Sequence, residues 1–230
     1  KKHHNRWVSS VAFHPNLPLL ATGSDDKSTI VYDLTTCPPT IKNHLKYHHH
    51  SFVLSVAFHP ILPILATGST DKSTILYDLT TSPPTVKYCL KHHTGSIRSV
   101  TFHPTLSLFA TGSADNSVII YDISTVLPTI KYHLKHHTNW VRSVVFHSSL
   151  PFFATSSDDN STILYKISTS PLTIKHHFKH HTHYVMSVDF HPNLPLLATG
   201  SYDHSTILYD ISMSPPTIKY RLKHHTCGVF

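Results

Sequence analysis

A unit of about 44 residues is repeated five times along the 230-residue chain. Each copy opens with the tract Ser-Val-x-Phe-His-Pro, which begins at Ser10, Ser55, Ser99 and Ser187, and at Ser143 with Ser in place of Pro. A period of roughly 40 to 45 residues is typical of a propeller-blade array, in which each unit buries its faces against its neighbours. Residues common to all units are therefore expected to build the architecture. The few that vary are expected to individualise a binding surface.

The first unit divides into four short strand-like runs at Val11 to Phe13, Leu19 to Thr22, Ser28 to Asp33 and Thr40 to Lys46. Apolar and polar residues alternate in the last run, as in a half-buried strand. Strands separated by turns, without helical periodicity, predict an all-β array of four-stranded antiparallel sheets. We predict one domain over residues 1–230, with repeats at about 10–54, 55–98, 99–142, 143–186 and 187–230. The fourth repeat has Ser148 for Pro and Ser156 for Gly, and is expected to be the least regular.

Four polar positions recur in register and carry a resemblance to the WD-repeat family of β-propellers over the whole chain. They are His, Thr, Asp and Tyr, as in His49, Thr67, Asp71 and Tyr77; His93, Thr111, Asp115 and Tyr121; and His181, Thr199, Asp203 and Tyr209. The resemblance implies that each set forms a hydrogen-bonded tetrad. The family's Gly-His pair reads His-His here, and its Trp-Asp pair reads Tyr-Asp. The resemblance also implies a β-propeller of five blades, either complete or part of the family's common seven-bladed ring.

The loops that follow the tetrad His and precede the turn Asp differ most between units. In WD-repeat propellers these loops surround one mouth of the central channel, where partners dock. Trp, Tyr and Arg often carry interface energy. The resemblance therefore implies partner-binding roles for Arg6, Trp7, Phe52, Trp140, Tyr184 and Tyr202. Inward packing at the start of the first strand is the open alternative for Trp7, Phe52, Trp140 and Tyr184, whereas Tyr202 is expected at the surface.

The net charge of +7 leaves a second binding mode open. Lysines recur in the fourth runs, at Lys42, Lys46, Lys87, Lys91, Lys131, Lys135, Lys175, Lys179, Lys219 and Lys223. Such a basic rim could bind nucleic acid or an acidic lipid surface. Lysine on an exposed edge strand also discourages edge-to-edge pairing, and no aromatic residue is interleaved on that outward face. We therefore expect a protein or peptide partner bound through the loops, with polyanion binding as the alternative.

Catalysis is not expected, because the Ser, His and Asp residues recur at architectural positions whereas a catalytic set is singular. The chain has no Glu or Gln, and its six glycines form no phosphate loop. We predict no cofactor and no metal site, the densest ligand cluster being His176, His177, His180, His181 and His183.

The three cysteines fit neither a disulfide framework nor a metal knuckle, and no apolar run is long enough to cross a membrane. A cytoplasmic or nuclear location is therefore expected. Because residues 226–230 begin a sixth unit, we also expect the chain to be one stretch of a longer array whose terminal blade faces are open.

Overall fold

In the computed structural model, residues 2–168, 171–223 and 225–229 are described, which leaves Phe230 of the partial sixth unit outside. The secondary structure of the described residues consists of strands, turns and bends. No helix in the described residues is long and apolar enough to cross a bilayer. The chain divides into two compact units, residues 1–102 and 103–230. That residues 1–230 act as one domain stays a prediction.

The first compact unit, residues 1–102, contains nine strands. Its first four are β1 Val8–Phe13, β2 Leu19–Ser24, β3 Thr29–Asp33 and β4 Thr40–Leu45. The next five are β5 Val53–Phe58, β6 Ile64–Ser69, β7 Thr74–Asp78, β8 Thr85–Leu90 and β9 Ile97–Phe102. The four runs expected from the first repeat are all present, and they differ from the observed strands by at most three residues at any end.

The second unit contains eleven strands with the same pattern of lengths. It starts with β10 Leu108–Ser113, β11 Val118–Asp122 and β12 Thr129–Leu134. Then come β13 Val141–Phe146, β14 Phe152–Ser157, β15 Thr162–Lys166 and β16 Thr173–Phe178. The last four are β17 Val185–Phe190, β18 Leu196–Ser201, β19 Thr206–Asp210 and β20 Thr217–Leu222.

The strands form five four-stranded sheets in sequence order, β1–β4, β5–β8, β9–β12, β13–β16 and β17–β20. Neighbouring strands pair antiparallel, so each sheet is a meander joined by short turns. A bulge near the start of the first strand and another between the third and fourth strands recur in the same register. The predicted all-β fold of five four-stranded antiparallel blades is confirmed.

The core lies between successive sheets, as contacts within the first unit illustrate. Leu19, Ala21 and Val31 of the first sheet form one buried cluster with Val53 and Phe58 of the second. The sheets approach so closely that glycine is required on β6. A Cβ added at Gly68 would lie 2.5 Å from Ile97 Cγ2. The apolar positions of the repeat are therefore interface positions between blades, as expected for a repeat array.

The Phe-His-Pro tract forms a turn that also joins blades. Nδ1 of His14 accepts hydrogen bonds from the backbone N–H groups of Asn16 and Leu17, both at 3.1 Å. The His14 ring packs on Phe58 of the next sheet with centroids 5.1 Å apart. The same ring pair recurs as His59 with Phe102 in the first compact unit, and as His103 with Phe146 and His147 with Phe190 in the second. Nδ1 must be unprotonated to accept these bonds, and burial lowers the pKa of His14.

For the strands of the fourth blade, the expectation of irregularity is wrong. These strands have the lengths and bulge positions of the other sheets. The turn forms without Pro because Nδ1 of His147 accepts from the N–H groups of Ser149 and Leu150, at 3.1 and 3.0 Å. Ser156 is fully buried in place of the glycine. The turn therefore depends on the histidine more than on the proline.

Candidate functional site

In four blades the variable loop residue is held by the same backbone hydrogen bond. Its carbonyl oxygen accepts a hydrogen bond from the N–H group of the residue that precedes the turn Asp. The bonds measure 2.9 Å for Trp7 with Asp25, Phe52 with Thr70 and Trp140 with Asp158, and 3.0 Å for Tyr184 with Tyr202. The loops are thus held rigidly while their side chains differ from one repeat to the next.

The tetrad residues form hydrogen bonds with the backbone of the same loops, as in the fifth blade. Nδ1 of His181 lies 2.8 Å from Oδ2 of Asp203, and Nε2 lies 2.8 Å from Oγ1 of Thr199. Asp203 also accepts from the N–H of Thr182 at 3.0 Å, and from the N–H and hydroxyl of Ser205 at 3.0 and 2.6 Å. Burial alone would raise the pKa of Asp203, but these hydrogen bonds outweigh it and hold the pKa well below its usual range.

Three other repeats have the same His, Asp and Thr arrangement. The two distances from the His ring are 2.9 and 2.7 Å for His4 with Asp26 and Thr22, 3.0 and 2.7 Å for His49 with Asp71 and Thr67, and 2.7 and 2.7 Å for His137 with Asp159 and Thr155. In the tetrad expected for the third blade, His93 belongs to the first compact unit, and Thr111, Asp115 and Tyr121 belong to the second. The tetrad of the third repeat therefore stays a prediction.

The buried tyrosine of each tetrad is linked to its threonine. Tyr77 and Tyr209 are 1% exposed, and each interacts with its own threonine, Thr67 or Thr199, through a hydrogen bond. Burial raises the pKa of Tyr209 to about 12, so its hydroxyl keeps its proton at physiological pH. The hydroxyl can therefore donate to the threonine oxygen, as an indole N–H would in the Trp-Asp form of the repeat.

The first His of the His-His pair has a structural role, shown in three blades, that the sequence analysis missed. His180 packs on Tyr209 with ring centroids 5.7 Å apart, and its Nδ1 lies 3.3 Å from the tyrosine hydroxyl. His3 with Tyr32 and His136 with Tyr165 do the same. A tyrosine leaves more space than a tryptophan, and the imidazole fills that space while supplying a polar partner. The signal available in the sequence was that both departures from the family pattern occur together in every repeat.

In the first unit, three candidate partner-binding residues line one groove. Arg6, Trp7 and Phe52 border a cavity of about 900 Å³ together with Asp25 and Tyr32. Trp7 is 83% exposed and Phe52 is half-buried. Trp7 is therefore a surface residue and does not pack inward.

In the second unit, Trp140 is held by a charged clamp. The guanidinium of Arg142 stacks on the indole, with Cζ 5.1 Å from a ring centroid. Nε and Nη2 of Arg142 donate to the two carboxylate oxygens of Asp158, both at 2.7 Å. Asp158 is buried and Trp140 is 40% exposed. The fork geometry fixes the guanidinium, and the guanidinium in turn limits the motion of the indole.

An aromatic cluster occupies the equivalent loops of the fifth blade. Tyr184 and Tyr202 are 38% and 39% exposed, and their ring centroids lie 6.3 Å apart. His183 contacts both, with centroid distances of 4.3 and 5.5 Å. Tyr184 and Tyr202 are therefore surface residues that support one another, and the inward-packing alternative does not hold for Tyr184.

The lysine rim is partly neutralised by the carboxylates that end each third strand. Nζ of Lys131 lies 3.7 Å from Oδ2 of Asp122. In the equivalent places the pKa values of Asp33, Asp78 and Asp210 are lowered chiefly by hydrogen bonds from the Thr or Ser two residues on, and to a smaller extent by the charges of Lys42, Lys87 and Lys219. In the fourth blade Lys166 replaces the Asp, and Lys175 instead donates to the carbonyl of Ile211 and lies 4.3 Å from the centroid of the Phe152 ring.

Among the described residues, no group of three or more His, Cys, Asp or Glu side chains is placed to hold a metal ion. Two histidines of the densest sequence cluster are already engaged, since His181 bonds Asp203 and Thr199 while His180 packs on Tyr209. The three cysteines are exposed and form no disulfide.

Comparison with known proteins places these observations in one family. The family model for the WD domain, G-beta repeat (WD40) matches residues 1–33, 40–78, 84–122, 128–166 and 172–210. A search among curated proteins gives no match. The five family matches cover most of the chain, so the chain belongs to the WD40 repeat family.

Proposed function

We propose that this protein is a non-catalytic scaffold that binds protein or peptide partners through its loops, with Arg6, Trp7 and Phe52 of the first compact unit and Trp140, Tyr184 and Tyr202 of the second as the binding residues. WD40 repeats generally serve as scaffolds for protein interactions. The observation that carries the proposal is the Trp140, Arg142 and Asp158 clamp. It holds an exposed aromatic side chain in one geometry, which lowers the entropy lost on binding.

Binding of a polyanion through the lysine rim is the weaker candidate. A carboxylate accompanies the rim lysine near the end of the third strand in four of five repeats, which lowers the local positive potential. The expectation that no aromatic residue is interleaved with the rim lysines is wrong, since Lys87 Nζ lies 5.9 Å from the centroid of the Tyr88 ring and Tyr220 is 55% exposed. The case against single-strand binding therefore rests on the accompanying carboxylates. The +7 charge then favours solubility and edge protection over a specific nucleic-acid site.

WD40 repeat proteins are typically non-enzymatic, and the recurring Asp and His residues are hydrogen-bonded to one another in the tetrads. The free, exposed cysteines suit a reducing compartment, and we propose a cytoplasmic or nuclear location on that basis.

The proposal is tested with peptides selected from a displayed random library against the intact chain. Binding is measured to the wild type, to a loop variant carrying Trp140→Ala and Tyr184→Ala, and to a rim variant carrying Lys46→Ala, Lys91→Ala and Lys135→Ala. We expect the loop variant to lose binding and the rim variant to keep it. Loss in the rim variant alone, with affinity falling steeply as salt rises, would support the polyanion mode instead.

A further inference from the structure

The charged groups beside the exposed aromatic residues of the second unit are already satisfied by partners within the chain. Both carboxylate oxygens of Asp158 accept from Arg142. Asp159 accepts from His137 at 2.7 Å, from the N–H of Thr138 at 3.1 Å, and from the N–H and hydroxyl of Ser161 at 3.0 and 2.6 Å. A partner would have to break these bonds before it could pair with either carboxylate.

Asp203 is occupied in the same way by His181, Thr182 and Ser205. The side chains of Asp158, Asp159 and Asp203 are 5%, 10% and 8% exposed. Charges this deep and this fully bonded contribute little direct pairing to a docked ligand, because desolvating an incoming charge would not be repaid. The ring surface that these loops offer to solvent comes from Trp140, Tyr184 and Tyr202, beside the exposed side chains of Thr182, His183 and His204.

From this charge inventory we infer that the loops of the fourth and fifth blades bind an uncharged, apolar peptide segment, with Trp140 as the principal anchor. The inference rests on the proposed function and specifies its ligand chemistry. The expected occupant carries aliphatic, proline or aromatic side chains that pack on the rings, and its binding depends weakly on salt.

Two features of the sequence would otherwise suggest different chemistry. The net charge of +7 favours an acidic partner, and the three loop carboxylates favour a basic one. The contacts argue against both at Trp140, because Arg142 and Asp158 are paired with each other and offer neither charge freely, and the other two carboxylates accept hydrogen bonds from the chain itself. Charge complementarity therefore favours a neutral segment over either charged class.

Trp7 provides a matched control within the same chain. It occupies the position of Trp140 in the first blade and is held by the same backbone hydrogen bond, with Asp25 in place of Asp158. Ser9 stands where the fourth blade has Arg142, and its hydroxyl donates to Asp25 at 2.8 Å. Trp7 therefore lacks a guanidinium on its ring, and we expect it to contribute less to binding than Trp140.

The first part of the test measures the clamp directly, since the chain has two tryptophans. Time-resolved fluorescence anisotropy is recorded on Trp7→Phe, which reports Trp140, and on Trp140→Phe, which reports Trp7. We expect a small fast-motion amplitude for Trp140, a large one for Trp7, and an increase for Trp140 when Arg142→Lys removes the fork. Equal amplitudes for the two tryptophans would overturn the anchor assignment.

The second part identifies the ligand chemistry with synthetic peptides taken from the display selection. We expect apolar peptides, with affinity that changes less than about threefold between low and physiological salt. Trp140→Ala should weaken them at least about 30-fold, as expected for a hot spot, and Trp7→Ala less than about threefold. Circular dichroism melts verify that both variants fold.

The outcomes separate the inference from the proposed function. Selected peptides that are charged, salt-sensitive and still dependent on the loop residues would overturn the apolar assignment and leave the scaffold function standing. Selected peptides that bind equally well to every loop variant would overturn both.

Discussion

Removal of the Asp203 carboxylate is expected to destabilise the fifth blade, and the chain contains a matched comparison. Asp203 and Asp210 both accept from a serine two residues on, with N–H and hydroxyl distances of 3.0 and 2.6 Å in each case. Only Asp203 also accepts from His181 Nδ1 and from the N–H of Thr182. Ser205 is 1% exposed whereas Ser212 is exposed, so the difference between Asp203→Ala and Asp210→Ala reports the tetrad contacts together with the burial of the Ser205 turn.

The magnitude follows from the donors of His181 and Thr182, which Asp203→Ala strands in addition to those of Ser205, at a site where the carboxylate side chain is 8% exposed. Each unsatisfied buried donor costs about 1–3 kcal/mol, so we expect a total loss of about 2–4 kcal/mol after partial access of water. For a chain of this length that corresponds to a fall of roughly 4 to 16 °C in the unfolding midpoint. Asp203→Asn keeps one acceptor oxygen and should lie between wild type and Asp203→Ala.

Two measurements check this prediction. Calorimetry gives the midpoints of the variants, and amide hydrogen exchange reports whether β17–β19 open before the remaining strands, as nearest-neighbour stability in a repeat array implies. Asp210→Ala should leave the midpoint nearly unchanged, because water replaces the lost contacts at the surface. Equal destabilisation by Asp203→Ala and Asp210→Ala would refute the tetrad reasoning.

Three further predictions concern the joints between and within blades. Gly68→Ala should destabilise by about 1–3 kcal/mol in urea unfolding, because its Cβ would lie 2.5 Å from Ile97, and an unchanged midpoint would show that the sheets can separate freely. Burial lowers the pKa of His147, so the unfolded chain binds more protons; the associated stability should be full above about pH 6.5 and fall as the pH falls below it, measured by urea unfolding against pH, with a flat profile contradicting this. His180→Gly and Tyr209→Trp should each destabilise, while the double variant should lose less than their sum, and strict additivity would show that the two rings are not coupled.

Much of the fold could be predicted from the sequence because the repeat supplies five readings of one pattern. Turn residues recur at fixed offsets, so the four strands of the first repeat are predicted to within three residues at each end. The irregular fourth blade was predicted wrongly because proline and glycine were given more weight than His147, whose ring nitrogen closes the turn by itself. Composition reveals turn residues but not which of them bears the hydrogen bonds.

The site was harder to predict, because its contacts join residues distant in sequence. Trp7 and Trp140 occupy equivalent positions, and the repeat pattern favours neither the surface nor the core for them. The Arg142 clamp depends on a fork to Asp158, sixteen residues away, and becomes visible only with coordinates. The role of His180 on Tyr209 could have been inferred from the joint replacement of Gly and Trp, but that inference requires knowing that the two positions adjoin.

A backbone amide footprint with a selected apolar peptide tests the central claim most directly. Amide exchange or chemical shifts are recorded for the chain with and without the peptide, at low and at physiological salt. The account predicts that the changes concentrate at residues 139–142, 183–184 and 202, and that they persist at physiological salt. Changes concentrated in the outer strands β4, β8, β12, β16 and β20 that disappear as salt rises would contradict it and place binding on the lysine rim.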